Sequence, residues 1–173
     1  MNLIGIKPFV NKNEIRIVIE TPQGSRNKIG YDPELKAFRL HKTLPEGMVF
    51  PYHFGFIPQT QGEDGDPLDA LVLMPEPLAP GCLVDGRLIG VIRGKQKEGK
   101  EKPVRNDRFI VVSSTACEYD DIKAPGDLPK SMVVQLSEFF TTYNMLEGRT
   151  FKLLGVEGPK AALKLIKAAK LSK

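Results

Sequence analysis

Residues that commonly form disulfides, zinc centres or nucleophilic triads are scarce in this sequence. The chain has no tryptophan, two cysteines and two histidines. Cys82 and Cys117 form no CxxC pair, and a chain of this length does not need covalent cross-links, so we expect both to be reduced. His41 and His53 are too few for a metal triad, and Ser113 lies in no nucleophile motif. These absences argue against a disulfide scaffold, a histidine metal centre and a serine hydrolase.

Long apolar runs are also missing. No run approaches the roughly 20 residues that a bilayer crossing needs. The opening residues lack the basic, apolar and small-residue order of a secretion signal. We therefore expect a cytoplasmic protein with no membrane partner. The net charge of +4, from 25 Lys and Arg against 21 Asp and Glu, is too modest to indicate nucleic-acid binding by itself.

The size and composition are those of an ordinary globular protein. The chain has 173 residues, of which 41% are hydrophobic and 27% are charged. A chain of this length buries a sizeable core and needs no second domain. We therefore expect a single domain over residues 1–173 with a packed interior.

Short segments with strand-like patterns recur through the first two thirds of the chain. Ile15, Ile17 and Ile19 alternate with the residues between them, which predicts a half-buried strand with Glu20 at its end on the polar face. Further predicted strands cover 28–31, 37–41, 68–74, 83–93 and 108–113. Turn-forming residues separate them, a pattern typical of a β-barrel or sandwich.

Helical periodicity is confined to the last third of the chain. Apolar residues recur there at steps of three and four: Met132, Val133, Leu136, Phe139, Phe140 and Tyr143. Residues 127–129 predict a helix start, and Gly148 predicts its end. A second helix is predicted from Pro159 to about Leu171, with lysines on its polar faces. The predicted architecture is therefore a barrel followed by helices.

Residues 94–107 are almost entirely charged or turn-forming and lie between two apolar strands. This composition predicts a long exposed loop. The loop is either a solvated hairpin tip or a functional segment, because loops of this length without structure of their own are often functional.

The strongest local feature is a turn with three acids, Asp64, Asp66 and Asp69, which leads directly into a predicted strand. Their charges repel one another unless cations neutralise them, and hard oxygen ligands suit magnesium, manganese or calcium. A solvated acidic turn is the alternative, because Asp-Gly and Asp-Pro are common turn dipeptides. An EF-hand is excluded, since Leu68 and Pro75 stand where that motif needs oxygen ligands.

The acidic turn is also part of a wider resemblance. The segment EDGDPLDALVL resembles the signature of the family I inorganic pyrophosphatases, an acid-x-acid-Pro-apolar-acid turn that enters a strand. Further segments resemble the family in the same order, from about residue 14 to residue 156: IVIETP, NKIGYD, FPYHFGFIPQT, CEYDDI followed by DLP, and EFFTTY. This collinearity is far more specific than any single motif.

The resemblance implies a mainly β fold with α-helices, in which a distorted five-stranded OB-like barrel is flanked by C-terminal helices. It also implies hydrolysis of pyrophosphate to two orthophosphates with Mg²⁺, or alternatively Mn²⁺. By resemblance, Asp64 and Asp69 bind the activating metals, and Asp66 helps to deprotonate the attacking water. Metals held there would lower the pKa of that water.

The family pattern also assigns substrate-binding roles. Lys28, Lys42 and Tyr143 correspond to groups around the leaving phosphate, and Glu20 to a carboxylate at the edge of the site. Arg108 stands where the family has a phosphate-binding Lys. A second loop acid falls at Asn106 or Asp107, and we expect Asp107 to be a metal ligand. Without the resemblance, the lysines would be interpreted as strand-surface residues and Tyr143 as a core residue.

The sequence departs from the family pattern at several of these positions. Lys42 replaces an Arg, which reduces a bidentate fork to a point charge. The remaining departures are Gly30 for Glu, Phe50 and Phe54 for Tyr, Gln96 near a metal-binding Asp, and Asn144 for Lys. Fewer phosphate donors and fewer carboxylate ligands are therefore expected.

Three functional interpretations remain open from the sequence. The first is an active pyrophosphatase that forms a homo-oligomer, a hexamer by resemblance. The second is a degenerate relative that binds metal and phosphate compounds with little turnover. The third is an OB-like nucleic-acid-binding module that uses the lysine-rich loop. The third ranks last, because residues 94–107 contain no aromatic residue for base stacking.

Overall fold

The computed structural model describes residues 3–171, and within them it contains nine strands and two α-helices. The strands are β1 (Glu14–Thr21), β2 (Asn27–Asp32), β3 (Ala37–Thr43), β4 (His53–Ile57), β5 (Leu68–Leu73), β6 (Leu83–Glu98), β7 (Val104–Arg105), β8 (Arg108–Ser113) and β9 (Arg149–Glu157). The helices are α1 (Lys130–Leu146) and α2 (Pro159–Ala169).

The main sheet closes on itself. Its strand order is β1-β4-β5-β8-β6, and β6 also pairs with β1, so these five strands form a ring. β2 and β3 form a separate two-stranded sheet, while β7 and β9 pair with the distal part of β6. The expected mainly β barrel with C-terminal helices is confirmed. Closure removes free strand edges within the ring, which stabilises short strands.

The ring strands bury side chains on both of their faces. Leu71 and Leu73 of β5 pack in a cluster with Leu136 and Phe140 of α1. Their neighbour Val72 belongs instead to a second cluster, which includes residues of β1 and of α2. The two helices thus cover opposite faces of the strands. This explains why β5 and β8 are nearly continuous apolar runs rather than alternating ones.

Most of the predicted strands and helices are present, and several strands are longer than predicted. Ile15, Ile17 and Ile19 are buried as expected, but Val18 is also buried, because it packs with Phe56. Both predicted helices are present, and α1 ends just before Gly148, whose φ of 71° is left-handed. β4, β7 and β9 were not predicted; β4 is only five residues long and is buried throughout, so it shows no alternation.

The prediction of a long exposed loop over 94–107 is wrong. β6 continues to Glu98 and pairs there with both β7 and β9, for example Gln96 with Val104 and with Phe151. Backbone pairing on two sides keeps this polar sequence extended, although its composition is that of a loop. Only the tip, residues 99–103, and the two residues 106–107 lie outside the strands.

None of the helices within residues 3–171 is long and apolar enough to span a bilayer. Cys82 and Cys117 are both free thiols, as the sequence predicts.

Candidate active site

The acidic turn is held by its own backbone. The Gly62 amide donates to the Asp66 carbonyl at 2.7 Å, and Gly65 adopts a φ of 91°, a conformation that suits glycine. The Asp66 amide donates to Oδ1 of Asp64 at 3.3 Å. Asp64 and Asp66 are exposed, whereas Asp69 is half-buried in β5. The turn therefore presents three carboxylates at the point where β5 begins.

Strand pairing brings a buried arginine to this turn. β5 and β8 run parallel, and Asp69 is the register partner of Arg108 near the start of each strand. Nη1 of Arg108 lies 3.0 Å from Oδ2 of Asp69, and the Arg108 side chain is only 4% exposed. A contact between residues 39 positions apart in the chain thus follows directly from the register of the sheet.

Two lysines face each other across the small sheet. Lys28 of β2 and Lys42 of β3 are direct register partners. Like charges at such positions repel each other unless anions compensate them. Nζ of Lys28 lies 3.9 Å from Glu20, and Nζ of Lys42 lies 2.5 Å from Glu147. Each lysine is thus paired with one carboxylate, and both ammonium groups belong to the lining of one cavity.

A cavity of about 610 Å³ opens between these elements. Six of the residues predicted for the site line it: Glu20, Lys28, Lys42, Asp66, Asp69 and Tyr143. Two more predicted residues contact this lining. Arg108 pairs with Asp69, and Asp64 accepts a hydrogen bond from the Asp66 amide. The small sheet, the acidic turn and α1 thus bring most of the predicted residues together.

Asp107 is placed differently from what the sequence suggests. Its carboxylate lies 3.0 Å from Nε of Arg93 and 2.7 Å from Nη2 of Arg105, and it accepts a hydrogen bond from the Gly94 amide at 2.9 Å. Asp107 does not line the cavity. These three partners occupy it, so its position favours a structural role at the base of the β6–β8 connection.

Phe50 and Phe54 pack beneath a lysine. Nζ of Lys28 lies 4.1 Å from the ring centre of Phe54 and 5.7 Å from that of Phe50. Such cation–π contacts contribute about 0.5–2 kcal/mol. Asn144 is buried and donates to the Phe140 carbonyl at 2.8 Å, so it acts within α1 rather than in the cavity.

Comparison with known proteins agrees with this geometry. Residues 17–172 match the family model described as inorganic pyrophosphatase. The chain belongs to the inorganic pyrophosphatase family. This match favours the first of the three sequence-based interpretations over nucleic-acid binding.

Individual pyrophosphatases align with nearly the whole length of this chain. It is 40% identical to the inorganic pyrophosphatase of Thermus thermophilus over 157 residues, which is 89% of this chain and 87% of that protein. It is 37% identical to the inorganic pyrophosphatase of Methanosarcina acetivorans over 154 residues, 89% of each chain. The crystal structure of the Thermus thermophilus protein superposes with a TM-score of 0.89 at 36% identity and covers 98% of this chain and 97% of that one.

Burial is the main cause of the pKa shifts of Glu20 and Lys28 in the cavity. Loss of solvent raises the pKa of Glu20, although Lys28 and the Tyr31 amide oppose this shift. Loss of solvent also lowers the pKa of Lys28, although Glu20 and Asp69 oppose it. Each group thus lacks full compensation for its charge. A bound anion would stabilise the charged form of Lys28.

The carboxylates of the acidic turn perturb one another. Partial loss of solvent around its carboxylate, and then the charge of Asp69, raise the pKa of Asp64, although the residue as a whole is exposed. Burial raises the pKa of Asp69, although Arg108 and Lys28 oppose the shift. Crowded carboxylates of this kind are stabilised by a cation.

The pyrophosphatase family implies a divalent metal, and the donor set fits one. Within residues 3–171, no three acidic, histidine or cysteine side chains converge as a preformed cage. Mg²⁺ does not require such a cage, because it keeps several waters and binds through one or two carboxylates together with substrate phosphates. Asp66, which lines the cavity, and Asp64, which precedes it on the same turn, are both exposed and supply ligands of that kind.

Sequence reasoning missed four charged or titratable residues that line the cavity: Tyr31, His41, Glu147 and Arg149. The β2–β3 register shifts after Lys28, which leaves His41 as the extra residue of a β-bulge. Its Nε2 lies 2.6 Å from where a Cβ of Gly30 would be, so the imidazole fills the space that a larger residue at position 30 would need. Bulges cannot be read from composition, and the sequence carries no signal for this placement.

Proposed function

We propose that this chain hydrolyses inorganic pyrophosphate to two orthophosphates with Mg²⁺, or alternatively Mn²⁺. The observation that carries this proposal is the juxtaposition of two facing lysines with the acidic turn in one cavity. The site combines cationic groups for a polyanion with carboxylates for a metal and a proton. Phosphoryl transfer needs chiefly such positioning and charge stabilisation.

The cationic wall would bind the phosphates. The ammonium groups of Lys28 and Lys42 would face the phosphates of the bound anion. The Tyr143 ring lies 4.1 Å from Nζ of Lys42 and supports the lysine side chain. Arg108 supports the far end of the site through Asp69. Glu20 keeps Lys28 in place from the edge of the cavity. Negative charge that develops on the leaving phosphate would be stabilised by these groups.

The acidic turn would activate water. Asp64 and Asp69 are the proposed metal ligands, and Asp66 is the proposed base. A divalent cation bound there supplies Lewis acidity toward the phosphoryl oxygens and lowers the pKa of water. The water oxygen bonds to one phosphorus, the bridging P–O bond breaks, and the water proton passes to Asp66. Asp107 is a further proposed metal ligand, and its carboxylate would have to exchange its two arginine partners for the metal.

We further propose a single-domain protein that works in the cytoplasm as a homo-oligomer, a hexamer by family resemblance. The proposal includes no membrane and no nucleic-acid partner. Exposed apolar side chains on α1, including Val134 and Met145, support self-association.

The test is phosphate release from pyrophosphate by the full chain across a Mg²⁺ titration. Wild type is expected to release phosphate only with metal, and Asp66→Asn to lower kcat by about 10²-fold or more, as loss of a general base does. Glu34→Gln, an exposed acid in the β2–β3 turn, is the matched control and should leave the rate unchanged. Absence of release at every Mg²⁺ and Mn²⁺ concentration would favour the degenerate relative instead.

A further inference from the structure

A second cavity lies where α2 meets β1 and β6. Its volume is about 310 Å³, and it shares no lining residue with the cavity beside the acidic turn. Small-molecule sites in proteins have volumes of roughly 300–1,000 Å³ and are mostly apolar with a few polar groups. The second cavity is therefore large enough for a small organic ligand.

The floor of the second cavity is apolar. Ile15 of β1 and Leu88 of β6 line it and are 1% and 6% exposed. Pro159 and Leu163 of α2 complete the apolar lining, and Leu163 packs against the buried cluster that contains both strand residues. Apolar atoms of a ligand would exchange water for contact with these side chains, which is favourable.

The charged residues around this floor are all positive. Lys12, Arg87, Lys123 and Lys160 line the second cavity, and no acidic residue of the described chain lines it. None of these four cations forms an ion pair within residues 3–171. A concave surface lined by charges of one sign attracts ligands of the opposite sign, so this cavity favours an anion.

Arg87 differs from the three lysines because its side chain is fixed. Its Nη2 donates to the backbone carbonyls of Tyr119 and Ile122, each at 3.0 Å, whereas the three lysines are exposed. These carbonyls are uncharged, so the guanidinium keeps its positive charge. Its Nη1 donates no hydrogen bond within residues 3–171. A planar guanidinium held in this way matches the geometry of a carboxylate.

A neighbouring cavity of about 640 Å³ extends the apolar surface. It shares Lys12, Asn13 and Leu163 with the second cavity, so the two adjoin along one side of α2. Phe9 adds an aromatic side chain on the far side of the shared residues. A ligand with an extended chain would therefore have room to continue beyond Leu163.

We propose that the second cavity binds an aliphatic carboxylate of medium chain length, with its chain on Ile15, Leu88 and Leu163 and its carboxylate against the Arg87 guanidinium. A small inorganic anion would leave the apolar floor in contact with water, and a neutral apolar molecule would leave the cations uncompensated. An amphipathic anion satisfies both. The site is independent of the proposed hydrolysis, because the two cavities share no residue.

The test is calorimetric titration of the full chain with octanoate. Wild type should bind about one octanoate per chain, with a Kd of about 1 mM or below. Hexanoate should bind about tenfold more weakly, because it buries a shorter chain. 1-Octanol keeps the chain but lacks the charge, and should also bind about tenfold more weakly. Absence of saturable octanoate binding, or equal affinities for octanoate and 1-octanol, would overturn the proposal.

Variants locate the site on the chain. Arg87→Gln should weaken octanoate binding by about tenfold or more, because it removes the partner of the carboxylate. A Lys123→Gln and Lys160→Gln double variant changes only exposed side chains and should weaken binding by about threefold. Lys164→Gln, an exposed lysine of α2 that lines neither of the adjoining cavities, is the matched control and should bind octanoate as wild type does.

Lys42→Gln separates this site from the cationic wall of the other cavity, and it should leave octanoate binding unchanged. Loss of binding in Lys42→Gln together with full binding in the double lysine variant would place octanoate in the other cavity and overturn the proposal. Circular dichroism shows whether Arg87→Gln folds; if it does not, an unchanged affinity in the double lysine variant contradicts the proposal. Octanoate binding is measured without pyrophosphate, so its failure and a failure of hydrolysis are separate results.

Discussion

Charged side chains in the cavity are held by specific partners rather than by solvent. Lys28 lies between Glu20 and the Phe54 ring, and Lys42 lies between Glu147 and the Tyr143 ring. An ammonium in such a place is pre-positioned, so it loses little side-chain entropy when an anion binds. The Phe50 and Phe54 rings therefore support Lys28 without offering a hydroxyl group to the site.

Lys42→Gln should weaken substrate binding because it removes a charge that faces the phosphates. A hydrogen bond to a charged group contributes about 1.5–3 kcal/mol, so KM for pyrophosphate should rise by about tenfold or more, as measured in steady-state assays. Lys100→Gln, at the exposed tip of the β6–β7 hairpin, is the matched control. An unchanged KM in Lys42→Gln would show that this lysine does not contact substrate.

His53 should make stability depend on pH. The residue is fully buried; its Nδ1 accepts from the Gln23 amide at 3.1 Å, and its Nε2 then donates to the Glu76 carbonyl at 2.9 Å. Burial lowers the pKa of His53, so the folded state favours the neutral ring. Below about pH 6.5 the unfolded chain takes up a proton first, and the free energy of unfolding should fall as the pH falls.

The check for His53 is urea unfolding at a series of pH values. His53→Gln cannot titrate, so the difference in unfolding free energy between wild type and variant should shrink as the pH falls below about 6.5. A difference that stays constant down to about pH 5 would contradict this assignment.

At the level of the elements, strands β1 and β4 of the barrel pack unusually close to each other near the site. Gly55 of β4 lies so near β1 that an added Cβ would be 2.0 Å from the Val18 carbonyl oxygen. Backbone atoms cannot give way as a flexible side chain can. The register that places Phe56 opposite Asp69 on β5 depends on this contact being tight.

Gly55→Ala should therefore destabilise the fold by about 1–3 kcal/mol or more, measured by urea unfolding. Gly126 has no atom within 4 Å of an added Cβ, so Gly126→Ala is the matched control and should have a small effect. Equal stabilities of the two variants would show that β1 and β4 separate more easily than the contact suggests.

At the level of the whole molecule, apolar groups remain at the surface of α1. Val134 is 60% exposed and Met145 is 63% exposed. They are 11 residues apart, about three helical turns, so they lie on the same face. Contact of this face with a second copy of the chain would remove both side chains from water, which is favourable.

Mass photometry or light scattering should therefore find the mass of two or more chains, each of 19.2 kDa. A Val134→Glu and Met145→Glu double variant should shift the population toward monomer, because it places charges in the buried contact. Leu35→Glu changes an equally exposed residue, 63%, at the β2–β3 turn and should leave the mass unchanged. A monomeric wild-type chain would contradict the proposed homo-oligomer.

Local patterns were sufficient for much of this protein. The alternation in Glu14–Thr21, the three- and four-residue spacing in Lys130–Leu146 and the order of acids in the turn are properties of neighbouring residues, so the sequence by itself determined them. The collinear motifs added the barrel and the identity of six cavity residues. These features depend on residue type and spacing along the chain.

Only the tertiary structure decided which distant side chains meet. The pairing of Asp69 with Arg108, the engagement of Asp107 by two arginines and the bulge that brings His41 beside Gly30 all depend on strand register. The extension of β6 through a loop-like composition likewise depends on partners on both sides. Register is set by packing between segments far apart in the chain, and a shift of one residue reverses which face a side chain occupies.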